Sequence, residues 1–253
     1  MVKRKFAVIQ ALLIFVFVIC GAYISKYFYD TWKAKTSYEE LRQLVIKEGQ
    51  DDTTESYIPE RAENGMLEKY YELYMRNNDM RGWINIPGTE IDYPVLQYTD
   101  NEFYLHKNFD KKYQYSGVPF LDYQCGENSL NSIIYAHNMK SGAMFAGLTK
   151  YESADYFKAH QRVLYDTLYD IGRYEIVAVF LTKVGAKDEF RYYEYADLSD
   201  NKRYEDYIDN VKQLSLYDTG LDAEYGDDLL TLSTCAYHTS DERIVLVAKK
   251  IKY

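Results

Sequence analysis

Three side chains at the ends of apolar runs could together do acyl-transfer chemistry. Cys235 closes Leu229-Leu-Thr-Leu-Ser-Thr-Cys235, an apolar/polar alternation that ends in a thiol. Eight residues on, Arg243 opens the apolar run Ile244-Val-Leu-Val-Ala248, and upstream Asn131-Ser-Ile-Ile-Tyr-Ala-His137 reads as a buried strand that stops abruptly at His137-Asn138. A cysteine attacks a carbonyl as thiolate, so it needs a base or a positive field to ionise near neutral pH. A histidine can protonate the leaving amine. An arginine, permanently charged and rich in rigid N–H groups, can steady the tetrahedral oxyanion. Each residue also has a plainer reading: Cys235 as a small core side chain, His137 as a loop histidine, Arg243 as an exposed strand-end charge. His238 is an alternative base but reads as a turn residue, and His106 and His160, in polar surroundings, are given no role.

The elements that would hold these residues are mostly short strands. Gly82–Gln97 reads as two strands about a Pro87-Gly88 turn, followed by Val118–Leu121, Ser132–Ala136, Arg162–Thr167, Tyr174–Thr182, Leu229–Thr234 and Arg243–Lys249, eight in all. Short helices are expected at 143–150 and 153–159, and a longer one over Asn201–Leu214 with Tyr204, Tyr207, Ile208 and Val211 on its apolar face. Eight strands with few helices predict a mainly β domain, a barrel or a sandwich. Before them the chain reads as polar helix over 30–77. Leu41, Leu44 and Val45 share one face, Gly49–Ser56 breaks the pattern, and a second helix is expected from about Glu60 to Arg76.

Phe6–Ile24 is apolar apart from Gln10 and would span ~28 Å as a helix, about the thickness of a bilayer core. It is longer than a signal-peptide core and no A-x-A site follows, which favours an uncleaved anchor. Bulky Ile19 disfavours a lipoprotein site at Cys20. Lys3, Arg4 and Lys5 precede the run while Lys26, Lys33 and Lys35 follow it, so the charge rule is nearly balanced; a short cytoplasmic tail with the body outside is the simpler layout. The expected division is tail and anchor at 1–29, helical linker and N-terminal helices at 30–80, and a β domain at 81–253. The chain of 253 residues carries 39 acidic against 30 basic side chains, net −9, with the first 26 residues purely basic. The body is therefore acidic enough to repel phosphates, which argues against nucleic acid as a partner. Three scattered cysteines (20, 125, 235) make no disulfide framework, and the histidines show no metal-ligand spacing, so a structural zinc site is not expected.

Taken together, Thr231-Leu-Ser-Thr-Cys235, Arg243-Ile-Val-Leu-Val-Ala and Tyr135-Ala-His137-Asn-Met resemble the sortases, the membrane-anchored cysteine transpeptidases of Gram-positive bacteria. The helical region before the strands and the helix at 201–214 point to class B. The likeness covers about residues 60–253. It departs at Ala136, where glycine would be expected, a difference of loop geometry and not of chemistry.

The resemblance implies a closed eight-stranded barrel with N-terminal helices and a long helix inserted between late strands. It implies Cys235 as nucleophile, His137 as general acid/base and Arg243 as oxyanion and substrate clamp. Ser233 and Thr234 would line the groove, Ala236 N–H would donate to the oxyanion, and Tyr135, Leu96, Tyr192 and Tyr193 would form groove walls. The implied reaction cuts a C-terminal sorting signal after Thr, through a thioester, and joins the surface protein to an amine of the peptidoglycan cross-bridge or of a pilin. It places the enzyme in the cell membrane as a single-pass protein with the catalytic domain outside, and implies no cofactor. Two other readings compete: a thiol endopeptidase that uses water, and an inactive surface-anchored binding domain.

Overall fold

The computed structural model describes residues 2–45, 59–126, 129–187, 189–235 and 241–251. The chain divides into two units, Met1–Glu40 and Leu41–Tyr253. The first is carried by α1 (Val2–Leu44), continuous through the apolar run that predicted an anchor and well beyond it. Its side chains from Ile9 to Ile24 are exposed, Phe17 most of all at 79%. Among the described residues α1 is the one helix long and apolar enough to cross a membrane. Aromatic pairs Tyr27–Phe28 and Tyr29–Trp32 follow the apolar run, the residue types that favour a bilayer–water interface. The expected break at Gly49–Ser56 lies outside the described residues.

In the second unit α2 (Glu68–Arg76) starts later than the Tyr and Leu periodicity predicts. Residues 61–67 instead form a tight antiparallel bend, with Arg61 bridged to Leu67. Gly65 at φ +81° makes the turn, and the N–H of Ala62 donates to the carbonyl of Met66. The Asn64-Gly65 pair wins over the helical pattern because glycine adopts positive φ without steric cost. Tyr70 and Leu73 of α2 are buried; Tyr70 lies against Trp83 and donates to Asp166.

Eight strands close a barrel: β1 (Met80–Asn85), β2 (Asp92–Leu96), β3 (Phe120–Leu121), β4 (Asn131–Tyr135), β5 (Arg162–Thr167), β6 (Arg173–Lys183), β7 (Leu229–Cys235) and β8 (Glu242–Lys250). Their order around the barrel is β1-β2-β3-β4-β7-β8-β6-β5, with β5 pairing back to β1. All pairs are antiparallel except β2–β3 and β4–β7. Closure removes the sheet edges, and it lets the central runs of β6 and β8 be apolar and buried. Only Phe120 and Leu121 of the expected 118–121 strand pair as β3. α3 (Ala154–Ala159) follows a 3-10 segment at Phe145–Glu152, near the expected short helices.

The parallel step from β4 to β7 needs a long crossover, and α4 (Asn201–Leu214) lies within it. Asp200 caps its start by accepting from the N–H of Arg203 at 2.9 Å. Its apolar face buries Tyr204, Tyr207, Ile208 and Val211, as the periodicity predicts. The Tyr207 hydroxyl pairs with Thr231 Oγ1 at 2.7 Å, and Thr231 donates to Asn131 Oδ1, which ties α4 to β7 and β4.

Candidate active site

Strand register gathers the three candidate residues at one end of the barrel. Tyr135 of β4 is opposite Ser233 of β7, so two further steps along this parallel pair bring position 137 level with 235. The chain keeps that alignment beyond β4. The N–H of Ala136 donates to the Ser233 carbonyl at 3.3 Å, and Thr234 Oγ1 donates to the Ala136 carbonyl at 2.7 Å. On the other side of β7, Cys235 is the Cα partner of Arg243 on β8. Neighbouring strands are about 4.8 Å apart, so residues separated by a hundred positions in sequence become side-by-side neighbours. What is described of Cys235 is its backbone; Ala236 and His238 lie outside the described residues.

His137 is half-buried where β4 gives way to a turn. Its Nε2 donates to the carbonyl of Leu105 at 3.0 Å; because a carbonyl only accepts, that nitrogen carries a proton. Nδ1 is then the nitrogen free to exchange one. The ring also stacks on His106, with centroids 5.4 Å apart and planes 25° from parallel. Burial pushes the proton affinity of His137 below its ordinary value, opposed by the Leu105 bond and reinforced by the charges of His106 and Arg243. Arg243 is half-buried and donates to the carbonyl of Glu242 at 3.3 Å. Its charge is felt by His137 and also by Tyr192.

The expected groove residues divide. Ser233 and Thr234 are buried under the site, and the Ser233 hydroxyl pairs with Tyr192 OH at 2.6 Å. Tyr192 is only 2% exposed, and burial raises its phenol to about 12. Its neighbour Tyr193 is half-buried and packs edge-on against it. Tyr135 is half-buried and donates to Asp122 Oδ2 at 2.8 Å. Asp122 is buried and also accepts from Asn101. Leu96 is 0% exposed and level with Phe120 inside the barrel wall. Two contributors escaped sequence reasoning: the carbonyl of Leu105, invisible because any residue has one, and His106, whose polar surroundings gave no periodic signal. Among the described residues no three His, Cys, Asp or Glu side chains cluster to hold a metal.

Comparison with known proteins shows the family of this fold. The sortase domain model matches residues 84–251. Sortase B of Listeria monocytogenes is 33% identical over 222 residues, covering 86% of this chain and 87% of that protein. A crystal structure of sortase B from Bacillus anthracis superposes with a TM-score of 0.75 at 28% identity, over 89% of this chain and 100% of that one. The Staphylococcus aureus sortase B–substrate complex gives a TM-score of 0.74 at 25% identity, over 88% and 99% of the two chains. The chain belongs to the sortase family. Within that family it is a class B sortase, as its relatives and its inserted helix α4 agree.

Proposed function

We propose that this chain is a cysteine transpeptidase that cleaves a C-terminal sorting signal after Thr and joins the released surface protein to an amine of the peptidoglycan cross-bridge or of a pilin. The carrying observation is the register that brings positions 137, 235 and 243 level at one barrel end. In this reading Cys235 Sγ attacks the scissile carbonyl as thiolate, and the oxyanion is met by Arg243 and by the N–H of Ala236. Collapse of the tetrahedral intermediate breaks the C–N bond, His137 gives its Nδ1 proton to the departing amine, and a thioester remains on Cys235. The incoming amine attacks that thioester and loses its proton to the now neutral His137. The amide forms and the thiolate is released, so atoms and charge balance. A depressed proton affinity supports the donor role, because it makes the His137 imidazolium the stronger acid.

Buried Ser233, Thr234 and Tyr192 form the floor beneath the nucleophile in this reading, and Tyr135 and Tyr193, each half-buried, supply walls. Residues 1–29 serve as cytoplasmic tail and single-pass anchor, 30–80 as linker and N-terminal helices, and 81–253 as the catalytic barrel outside the membrane. Support comes from the length and composition of α1 and, for a peptide ligand, from the substrate-bound Staphylococcus aureus relative. The test is mass spectrometry of the full chain in detergent with sorting-signal peptides and a glycine-based amine. A transient acyl adduct on Cys235 and peptide joined to the amine are expected. Adduct followed by hydrolysis alone would mean an endopeptidase, and no adduct with any peptide would mean a binding module. Arg243→Ala should lower kcat/KM about a hundredfold to a thousandfold, the cost of one oxyanion contact; a near-normal rate would remove Arg243 from the mechanism.

A further inference from the structure

A second imidazole lies against His137, and it comes from a part of the chain that the sortase motifs do not include. His106 ends the 3-10 turn Phe103–His106, the turn whose Leu105 carbonyl accepts from His137 Nε2. The two rings are nearly parallel, and the stack runs outward from His137 through His106 to Tyr115, 5.9 Å and 20° from His106. His106 Nδ1 lies 3.2 Å from the carbonyl of Tyr115, so it too must donate. Each imidazole thus has one nitrogen committed to a backbone acceptor and one left to gain or lose a proton. His106 is exposed, where water can solvate an imidazolium, whereas His137 is half-buried.

His137 has charged neighbours besides His106: position 235, the candidate thiolate, is level with it on β7. From β8 comes Arg243, whose charge His137 feels; around His106 are the rings of Tyr113 and Tyr115, with Lys107 next in the chain. Of the carboxylates on adjoining segments, Asp110 is engaged by Arg76, Asp79 by Lys111 and the Tyr104 hydroxyl, and Asp100 by the N–H groups of Glu102 and Phe103. Among the described residues no carboxylate bonds to either imidazole. A charge on His106, at a ring separation of 5.4 Å, disfavours an imidazolium at His137.

We propose that His106 is a positioning residue for His137: its ring holds the plane of the acid–base imidazole, and a charge on it repels one on His137. The inference rests on the acyl-transfer reading above. The experiment uses the full chain in detergent micelles with 13C at the imidazole ε1 carbons, comparing wild type, His106→Phe and His106→Ala. In the wild type, His137 should titrate below the pH of an ordinary histidine. In His106→Phe, which keeps an aromatic ring but no charge, it should titrate at higher pH than in the wild type, with kcat/KM within about threefold of wild type. His106→Ala should show the same displacement and lose about tenfold in kcat/KM, because the ring plane is no longer held. An unchanged His137 titration in both variants, with the wild type turning over peptide, would overturn the role of His106 alone. A folded wild type that forms no adduct would sink the acyl-transfer reading and the role together, a failure already visible without any substitution.

Discussion

His137 is held by one hydrogen bond and one ring face, and its burial has a consequence for stability as well as for chemistry. Its folded-state proton affinity lies below the ordinary value of 6.5, chiefly through desolvation. The unfolded chain therefore binds the proton more readily than the folded one. Stability tied to this group is fully present above the ordinary value, and is lost as pH falls through the lower, folded value. His137→Gln, which has no proton to gain, should remove that component. The Tm difference between pH 7.5 and pH 5 should be smaller in the variant than in the wild type. Equal differences in thermal unfolding would mean that His137 is not desolvated as its surroundings imply. Arg243 belongs to the same account, since its charge reaches both His137 and Tyr192 and opposes an imidazolium at rest.

At the scale of elements, the 3-10 turn at Phe103–His106 positions the site while lying outside every motif. The segment that follows folds back on it at Gly117, whose φ is +57° and whose missing Cβ leaves room for the carbonyls of Tyr104 and Leu105. A methyl there would stand 2.4 Å from each oxygen, so backbone would have to move. Gly117→Ala should cost about 2 kcal/mol from the left-handed φ and the overlap combined. It should also lower kcat/KM, because the Leu105 carbonyl that fixes the His137 ring is one of the displaced groups. Thermal unfolding and steady-state kinetics on the same preparation check both halves. A variant less stable but fully active would show that the turn tolerates displacement without disturbing His137.

At the scale of the whole molecule, an apolar N-terminal helix and a closed barrel have different tasks. The exposed side chains of α1 from Ile9 to Ile24 suit lipid and would aggregate in water, whereas the core of the second unit is buried, drawn from its strands, α2, α4 and connecting segments such as Phe145–Glu152. A fragment starting at Thr31 should be soluble without detergent, with Tm within about 3 °C of the full chain, a change smaller than loss of one core contact would bring to a domain this size. Loss of the folded transition in the fragment would show that the barrel needs residues 1–30 for its stability.

What the sequence determined by itself follows from short-range physics. Alternation and apolar runs located the strands of the barrel, and helical periodicity defined α4. The motif around Cys235 and the resemblance it carries named a class and a candidate set. Where a local conflict existed, as between the Tyr and Leu spacing and the Asn64-Gly65 turn, periodicity alone misjudged the start of α2. Only the tertiary structure decided that positions 137, 235 and 243 share a barrel end, because strand order and parallel register are contacts between distant segments. It also decided that Leu96 and Tyr192 are buried, and that His106 meets His137. Such contacts depend on how the barrel closes, and no local pattern of residue types encodes closure.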